Sequence, residues 1–300
     1  MAKPLEQVLQ EKYATQAKLA MSVQKPMGLV KFCEKGDATS GESYTFYRAE
    51  ESTAKDGLPS MYNDDGKGYK GDSGSNGGDA GPLKPYKVFG AYISSQHKID
   101  DIDFKKTSLD AKGTLQKTMS IAVEHKADEK VLKSIKDKDS DLTKQDFTSG
   151  TAKGIDDEKV IRALVGKIAV AHASAAMTPD GQKGVSVLIN LKDWEILVQS
   201  NYFLNADFKD SIEWGDNERP TRIKGAEFLV TKNDDMIPSG TIYIVPSNTC
   251  GFATWKGTEK GVAEYHETDG ARWHLQNRKY VGAICIEPKF ITKFTFKATA

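Results

Sequence analysis

The sequence lacks the features that mark secreted, membrane-spanning or disulfide-stabilised proteins. It has 3 cysteines among 300 residues, Cys33, Cys250 and Cys285, with no C-x-x-C spacing. An odd, scattered set of cysteines argues against a disulfide framework or a zinc cage and favours a reducing compartment. No apolar run reaches the roughly 20 residues that a membrane helix needs, and the charged start of the chain has no secretory apolar core. These absences predict a soluble intracellular protein.

The sequence also lacks an excess of charge of either sign. It contains 42 lysines and arginines and 42 aspartates and glutamates. A protein that binds DNA or an anionic membrane through its overall electrostatic field has a large excess of basic residues. We therefore expect weak, non-specific contact with DNA at most, and no membrane partner. The 38% of apolar residues is ample for a core, and the length suits one large domain or two ordinary ones.

A protease-like tetrapeptide lacks its catalytic partners. The stretch Gly71-Asp72-Ser73-Gly74 matches the surroundings of the nucleophile in trypsin-like serine proteases. A serine nucleophile needs a base and an acid that orients the base, and in that pattern both come earlier in the chain. The first histidine of this chain is His97. We therefore expect Ser73 to be an ordinary loop residue.

Two further segments are weak candidates for ligand sites. EYHETDGARWH, residues 264–274, groups five residues that metals accept, but their spacing matches no tetrahedral or facial site, so we expect a polar hairpin tip. These residues are Glu264, His266, Glu267, Asp269 and His274. WGDNERPTRIKG carries Arg219, Arg222 and Lys224 and is expected to be a solvated loop. No phosphate-binding G-K-[ST] motif occurs. We predict no catalytic residue, no metal and no cofactor.

Residue periodicity predicts an extended hairpin in the first third of the chain. SYTFYR alternates, with Tyr44 and Phe46 on one face and Thr45 and Tyr47 on the other, which is typical of a strand. Residues 55–85 are polar and dense in glycine. YKVFGAYISSQHKID then resumes as a β segment. Two strands that bracket such a stretch predict a hairpin that projects from the body.

The rest of the chain mixes helices and strands. Residues 103–136 are predicted to form a long, charged helix with a narrow apolar stripe, made of Leu109, Leu115, Met119, Ala122, Val123, Lys126, Val131, Leu132 and Ile135. A charged break over residues 136–154 precedes a more apolar helix over 156–177. GVSVLIN predicts a buried strand, LKDWEILVQSNYF a helix, and five later segments predict strands. Without regular βα alternation, the predicted fold class is α+β.

The order of these parts resembles that of the major capsid proteins of tailed double-stranded DNA bacteriophages, which have the HK97-like fold. The resemblance covers nearly the whole chain and is one of arrangement. It is carried by SYTFYR, the glycine-rich stretch, the returning strand and the long charged helix. The most suggestive segments are AVEHKADEKVLKSI and KYVGAICIEP.

The resemblance implies a division of the chain into five parts. These are an N-terminal arm (1–40), an extended β-hairpin called the E-loop (41–100), a peripheral domain with a long spine helix (101–154), a mainly axial domain (155–265) and closing β segments of the peripheral domain (266–300). The E-loop tip is then expected to contact a neighbouring subunit through Tyr62, Asp64, Lys67, Tyr69, Lys70, Asp72 and Asp79. In the N-terminal arm, Lys3, Lys12 and Lys18 are expected to face packaged DNA.

The resemblance also implies a function and a set of partners. The chain would form pentamers and hexamers of an icosahedral shell around double-stranded DNA, without enzymatic activity. Its partners would be its own copies, a separate scaffolding protein, a portal protein and, in some particles, decoration proteins. Assembly in the host cytoplasm and a place in the virion capsid follow. No feature identifies a partner asparagine for Lys67 or Lys70, so we expect no covalent crosslinks.

Three alternatives stay open at this point. An encapsulin-type compartment has the same fold and encloses cargo instead of a genome. A small hydrolase would use Ser73 or the 264–274 cluster. A monomeric β-rich binding module would carry the glycine-rich stretch as a flexible loop. Particle size separates shells from the last two.

Overall fold

The structure is a computed structural model, which describes residues 26–49, 83–100, 111–149, 153–175, 184–200, 212–214, 220–258, 260–266 and 272–298. Helices and strands are mixed in these ranges, as predicted. The helices are α1 (Ala111–Lys136), α2 (Glu158–Ala175) and α3 (Leu191–Gln199). The strands are β1 (Glu34–Ala38), β2 (Ser43–Ala49), β3 (Leu83–Phe89), β4 (Ala91–Asp100), β5 (Thr143–Asp146), β6 (Val185–Asn190), β7 (Ile212–Trp214), β8 (Pro220–Ile223), β9 (Ala226–Thr231), β10 (Thr241–Pro246), β11 (Cys250–Trp255), β12 (Lys260–His266), β13 (Arg272–Cys285) and β14 (Thr292–Thr295).

A five-stranded sheet is built around β13, the 14-residue strand near the end of the chain. β4, β11 and β12 all pair antiparallel with β13, and β1 adds to β11 in parallel. Helix α1, 26 residues long, packs across this sheet. The Asn277 side-chain amide on β13 donates to the Ser120 hydroxyl on the helix at 2.8 Å, which identifies the sheet face that the helix covers.

The buried side of α1 differs in part from the predicted stripe. Met119, Val123, Val131, Leu132 and Ile135 are buried as expected. Two members of the predicted stripe, at positions 122 and 126, are exposed, and the residues at 127 and 128 are buried instead. The helix meets the sheet along a row of i, i+4 neighbours, and a residue one position away points about 100° off that row. The predicted stripe was therefore right at these five positions and wrong at positions 122 and 126; Leu115 is half-buried, and Leu109 lies outside the described residues.

A seven-stranded sheet forms the second layer of the molecule. Its strand order is β5-β14-β10-β6-β9-β8-β7. β6 is buried at every position, because helix α2 and helix α3 pack on the sheet around it. The second core cluster combines Ile161, Leu164 and Ile168 of α2 with Phe294 of β14. The predicted helices over 156–177 and after GVSVLIN are confirmed, with slightly shorter bounds within the described residues.

Several strands were not predicted. β1 has the sequence EKGDA and β5 the sequence TKQD, neither of which alternates in hydrophobicity. Each pairs in parallel with an edge of an existing sheet, so tertiary pairing overrides a weak local signal. The segment 214–225, expected to be a loop, contributes to β7 and β8, where Arg222 pairs in register with Glu213.

Candidate intersubunit surface

The predicted hairpin is present as the antiparallel pair β2 and β3. The register runs from Ser43 opposite Phe89 to Ala49 opposite Leu83. Residues 50–82, between the two strands, lie outside the described residues. Because side chains alternate along a strand, the hairpin has two different faces. Tyr44 and Phe46 share one face, as predicted, and this is the inner face, where they pack with Val88 in a core cluster.

A mostly buried ion pair attaches the hairpin to the five-stranded sheet. The Arg48 guanidinium on β2 lies 2.8 Å from the Glu34 carboxylate on β1, and these side chains are 12% and 25% exposed. The guanidinium also donates to the backbone carbonyl of Asn248. A buried pair costs far more to break than a surface pair, because one charge is left without its partner. Arg48 therefore anchors the hairpin to the sheet.

Close packing at the base also determines how the hairpin leaves the body. The Trp255 indole donates to the Gly41 carbonyl at 2.7 Å, and the Gly90 amide donates to the Glu42 carbonyl at 3.0 Å. The Phe46 ring lies against Gly251, where an added Cβ would come within 2.7 Å of it. A side chain at Gly251 would force the ring and its strand away. The hairpin therefore leaves the sheet at a defined angle.

The outer face of the hairpin and the adjoining strand expose large aromatic side chains. Tyr47 is 60% exposed, Phe89 65% and Tyr92 66%. The centres of the Tyr92 and Tyr280 rings are 4.6 Å apart, with the rings inclined at 58°, and the Lys87 ammonium lies 5.2 Å from the centre of the Phe89 ring. Single exposed apolar residues are ordinary, but aromatic side chains are enriched where proteins contact one another. Tyr47, Phe89 and Tyr92, called here the aromatic surface, are the candidate contact residues of the described chain.

A buried carboxylate joins the N-terminal segment to helix α1. Asp128 is 1% exposed, and its carboxylate accepts from the backbone amides of Gly28 at 2.9 Å and Val30 at 3.2 Å. Burial raises the pKa of Asp128, and the hydrogen bonds from these amides oppose that rise. In the sequence, this position falls on the charged part of the predicted helix. Its partners are about 100 residues away, so no local pattern could have identified it.

The residues predicted for the E-loop tip and the N-terminal arm lie outside the described residues. This applies to Tyr62, Asp64, Lys67, Tyr69, Lys70, Asp72 and Asp79, to Lys3, Lys12 and Lys18, and to Ser73. Their predicted roles therefore stay predictions. What the structure describes is the base of the β2–β3 hairpin and the surfaces beside it.

The other candidate residues are spread over the fold. Glu264 and His266 are on β12, and His274 is opposite Glu264 on β13; Glu267 and Asp269 lie outside the described residues. In the part of the chain that is described, no group of three or more His, Cys, Asp or Glu side chains could hold a metal ion. Arg222 is exposed on β8, 3.9 Å from Glu227, and Lys224 adopts a positive φ of 51° in the following turn.

The three cysteines are buried thiols. All are free, and Cys250 is directly opposite Cys285 in the β11–β13 pair. Burial raises the pKa of the Cys33 thiol, and a hydrogen bond with Cys285 together with burial raises that of Cys250. A protonated, inaccessible thiol is a poor nucleophile.

Comparison with known proteins identifies structural but not sequence relatives. No family model and no curated protein sequence matches the chain. No helix within the described ranges is long and apolar enough to cross a membrane. Among solved structures, the chain is similar to the capsid structure of the cyanophage P-SCSP1u, with 13% identity, a TM-score of 0.58, and coverage of 89% of this chain and 87% of that chain.

Two further solved structures have the same architecture. Mycobacterium phage Che8 shares 13% identity at a TM-score of 0.54, with 92% of this chain and 90% of that chain covered. The virus-like particle from Pyrococcus furiosus shares 12% identity at a TM-score of 0.53, with 89% and 91% covered. At such identities the likeness shows a common fold that extends over almost the entire chain.

Proposed function

We propose that this chain, which has the HK97-like fold of phage major capsid proteins, is itself a major capsid protein. It forms pentamers and hexamers of an icosahedral shell around double-stranded DNA. The observation that carries the proposal is the extent of the likeness. About nine-tenths of this chain superposes on about nine-tenths of the cyanophage capsid chain, and the same is true of Mycobacterium phage Che8. The likeness therefore covers the whole architecture and is not limited to one motif.

The hairpin supplies a physical reason for assembly. The glycine-rich stretch between β2 and β3 has little apolar content, so burial within its own subunit cannot offset the entropy of ordering it. The aromatic surface beside it exposes Tyr47, Phe89 and Tyr92. A neighbouring copy that packs on this surface and on the glycine-rich stretch buries the exposed aromatic side chains and orders the stretch. The contact residues at the E-loop tip are then Tyr62, Asp64, Lys67, Tyr69, Lys70, Asp72 and Asp79.

The five-part division of the chain is part of the same proposal. The peripheral domain (101–154 and 266–300) contains the spine helix α1 and β13, and the axial domain (155–265) contains α2, α3 and most of the seven-stranded sheet. Strands β11 and β12 fall within residues 155–265 but pair with β13, so they belong with the peripheral sheet. Residues 1–40 form the N-terminal arm and 41–100 the E-loop.

Contact with the packaged genome is weak in this proposal. The chain has equal numbers of basic and acidic residues, and Lys3, Lys12 and Lys18 provide a small basic arm toward the DNA. The chain is not an enzyme. Assembly takes place in the host cytoplasm with a separate scaffolding protein, a portal protein and, in some particles, decoration proteins, and the product is located in the virion.

A compartment shell that encloses cargo is the second candidate. It is supported by the likeness to the virus-like particle from Pyrococcus furiosus. The content of the particle distinguishes the two. A capsid recovered from lysed host cells contains nuclease-protected duplex DNA, whereas a compartment contains protein.

Sedimentation and negative-stain microscopy of the purified chain test the proposal. We expect closed shells of megadalton mass, formed by the chain alone or with its co-expressed scaffolding protein. A species that stays near 33 kDa at all concentrations, with scaffold present, contradicts the shell proposal and favours a monomeric binding module or a hydrolase.

A further inference from the structure

A polar pocket lies on the five-stranded sheet, where the proposed function assigns no role. Its volume is about 250 Å³. It is lined by residues of three neighbouring strands: Gln96, His97 and Lys98 of β4, Glu264 and His266 of β12, and His274, Leu275, Gln276 and Arg278 of β13. The volume is below the roughly 300–1,000 Å³ of sites for drug-sized ligands, which favours a small ion or a single ligand group.

Strand register explains why charged side chains converge there. Lys98, His274 and Glu264 form one row across β4, β13 and β12. The next rows place Gln96 opposite Gln276 and Ser94 opposite Arg278. Alternate residues of a strand share a face. Asn277 on β13 contacts helix α1, so the even-numbered residues of β13 point to the opposite face of the sheet. The charged rows therefore lie on the sheet face that α1 leaves open.

Two histidines lie side by side at this pocket. Of the 5 histidines of the whole chain, His266 and His274 line the face that α1 leaves open, whereas His97 is opposite Leu275 and its side chain points to the other face. The rings of His266 and His274 are 4.3 Å apart, and Nε2 of His266 is 3.6 Å from the Glu264 carboxylate. An imidazole N–H can donate a hydrogen bond to an anion bound beside these rings.

Permanent positive charges border the same space. Lys98 and Arg278 oppose the single carboxylate of Glu264, and Arg272 lies one row beyond, paired with His266. A guanidinium binds oxyanions through two parallel N–H groups, and the amides of Gln96 and Gln276 are further donors. Lys98 and Arg278 also disfavour a metal cation, in agreement with the lack of a metal-binding group among the described residues.

We infer that this pocket binds a tetrahedral oxyanion of the sulfate or phosphate class. Arg278 and Lys98 hold the anion through their positive charges, and His266 and His274 add imidazole N–H donors. Binding requires only the sheet of one subunit, so the inference does not depend on assembly into a shell.

Sulfate is the most informative probe, because it keeps its two charges at neutral pH. Isothermal titration at constant ionic strength, adjusted with chloride, is expected to show one saturable site per chain. The R278Q variant is expected to lose about tenfold in affinity, which is the contribution of one charge-assisted hydrogen bond. The double variant H266Q/H274Q is expected to keep most of the affinity, because Arg278 and Lys98 remain.

A matched control distinguishes a specific anion-binding site from general electrostatic attraction between sulfate and the positive charges of the surface. K133Q removes one positive charge from an exposed position on α1, far from the pocket lining, and is expected to bind sulfate like the parent chain. Circular dichroism confirms that each variant is folded. The inference is wrong if the parent chain gives no saturable binding, or if R278Q and K133Q weaken binding equally.

Two further probes identify the source of the anion. Inorganic phosphate and adenosine monophosphate are each tested for competition with sulfate at pH 8. If inorganic phosphate and adenosine monophosphate both compete, the site accepts the terminal phosphate of an organic ligand. If inorganic phosphate alone competes, the site takes the free ion. Either result supports the inference. Binding of a short DNA duplex that needs Arg278, without binding of any small anion, overturns it in favour of a nucleic-acid surface.

Discussion

Replacing Arg48 by alanine tests whether the hairpin is anchored as the structure indicates. The substitution leaves the Glu34 carboxylate without its partner and removes the hydrogen bond to the Asn248 carbonyl. Breaking a fully buried ion pair costs about 3–5 kcal/mol. The pair here is 12% and 25% exposed, so water partly compensates for the lost partner. We expect the free energy of unfolding to fall by about 2–3 kcal/mol, a range that also includes the lost hydrogen bond.

A surface pair that also bridges β1 and the end of β11 provides the matched control. Lys256 and Asp37 are 3.1 Å apart, with side chains 63% and 61% exposed. Exposed pairs contribute about 0–1 kcal/mol, so Lys256→Ala is expected to change the free energy of unfolding by less than about 0.5 kcal/mol. Urea titration of unassembled protein, followed by circular dichroism, measures both variants under the same conditions.

A double-mutant cycle shows whether the effect of Arg48 belongs to the pair. Glu34→Gln removes the charge of the partner and keeps the shape of its side chain. In that background, Arg48→Ala is expected to cost at least about 1 kcal/mol less than in the parent chain, because the two groups interact directly. The reasoning fails if Arg48→Ala is as mild as Lys256→Ala, or if the two substitutions at the pair are strictly additive.

Three other perturbations have defined expected outcomes. Replacing Gly66–Gly81 with a short Gly-Ser turn should change the free energy of unfolding by less than about 1 kcal/mol but abolish robust shells in sedimentation; unfolding of the monomer, or normal shells, contradicts the E-loop proposal. Burial raises the pKa of Asp128 from 3.8, so the folded state binds more protons and stability falls as pH rises above that value. In urea titrations at pH 4.5 and pH 7, the free energy of unfolding of Asp128→Asn should differ less between the two pH values than that of the parent chain. An unchanged difference contradicts the raised pKa of Asp128. Boiled, reduced particles should give one gel band near 33 kDa, whereas a ladder of multimers shows that Lys67 or Lys70 forms crosslinks.

The sequence by itself determined the elements that have a strong local period. Alternation in SYTFYR predicted β2 and its two faces, and Tyr44 and Phe46 are on the inner one. The paired strands of the hairpin, the long helix and the α+β class also followed from local patterns. Such patterns are reliable because neighbouring side chains on one strand or helix turn face the same surroundings. The arrangement of these elements along the chain was enough to predict the HK97-like fold.

Tertiary structure decided the features that depend on residues far apart in the chain. The polar sequence of β1 does not predict a strand. The segment forms one because it pairs with the edge of β11. Asp128 is buried because backbone amides about 100 residues away meet its carboxylate. Arg48 is the last residue of the predicted strand SYTFYR, and the sequence does not show that Asn248, 200 residues away, accepts its hydrogen bond.

The pocket illustrates the same division. Residues 264–274 showed that histidines and acids are close in sequence, but Lys98 joined His274 and Glu264 only through the register of β4 on β13. A shift of one residue in that register would send Lys98 to the opposite face of the sheet. Register is set by the packing of whole sheets against their cores, so a local window of sequence does not contain it.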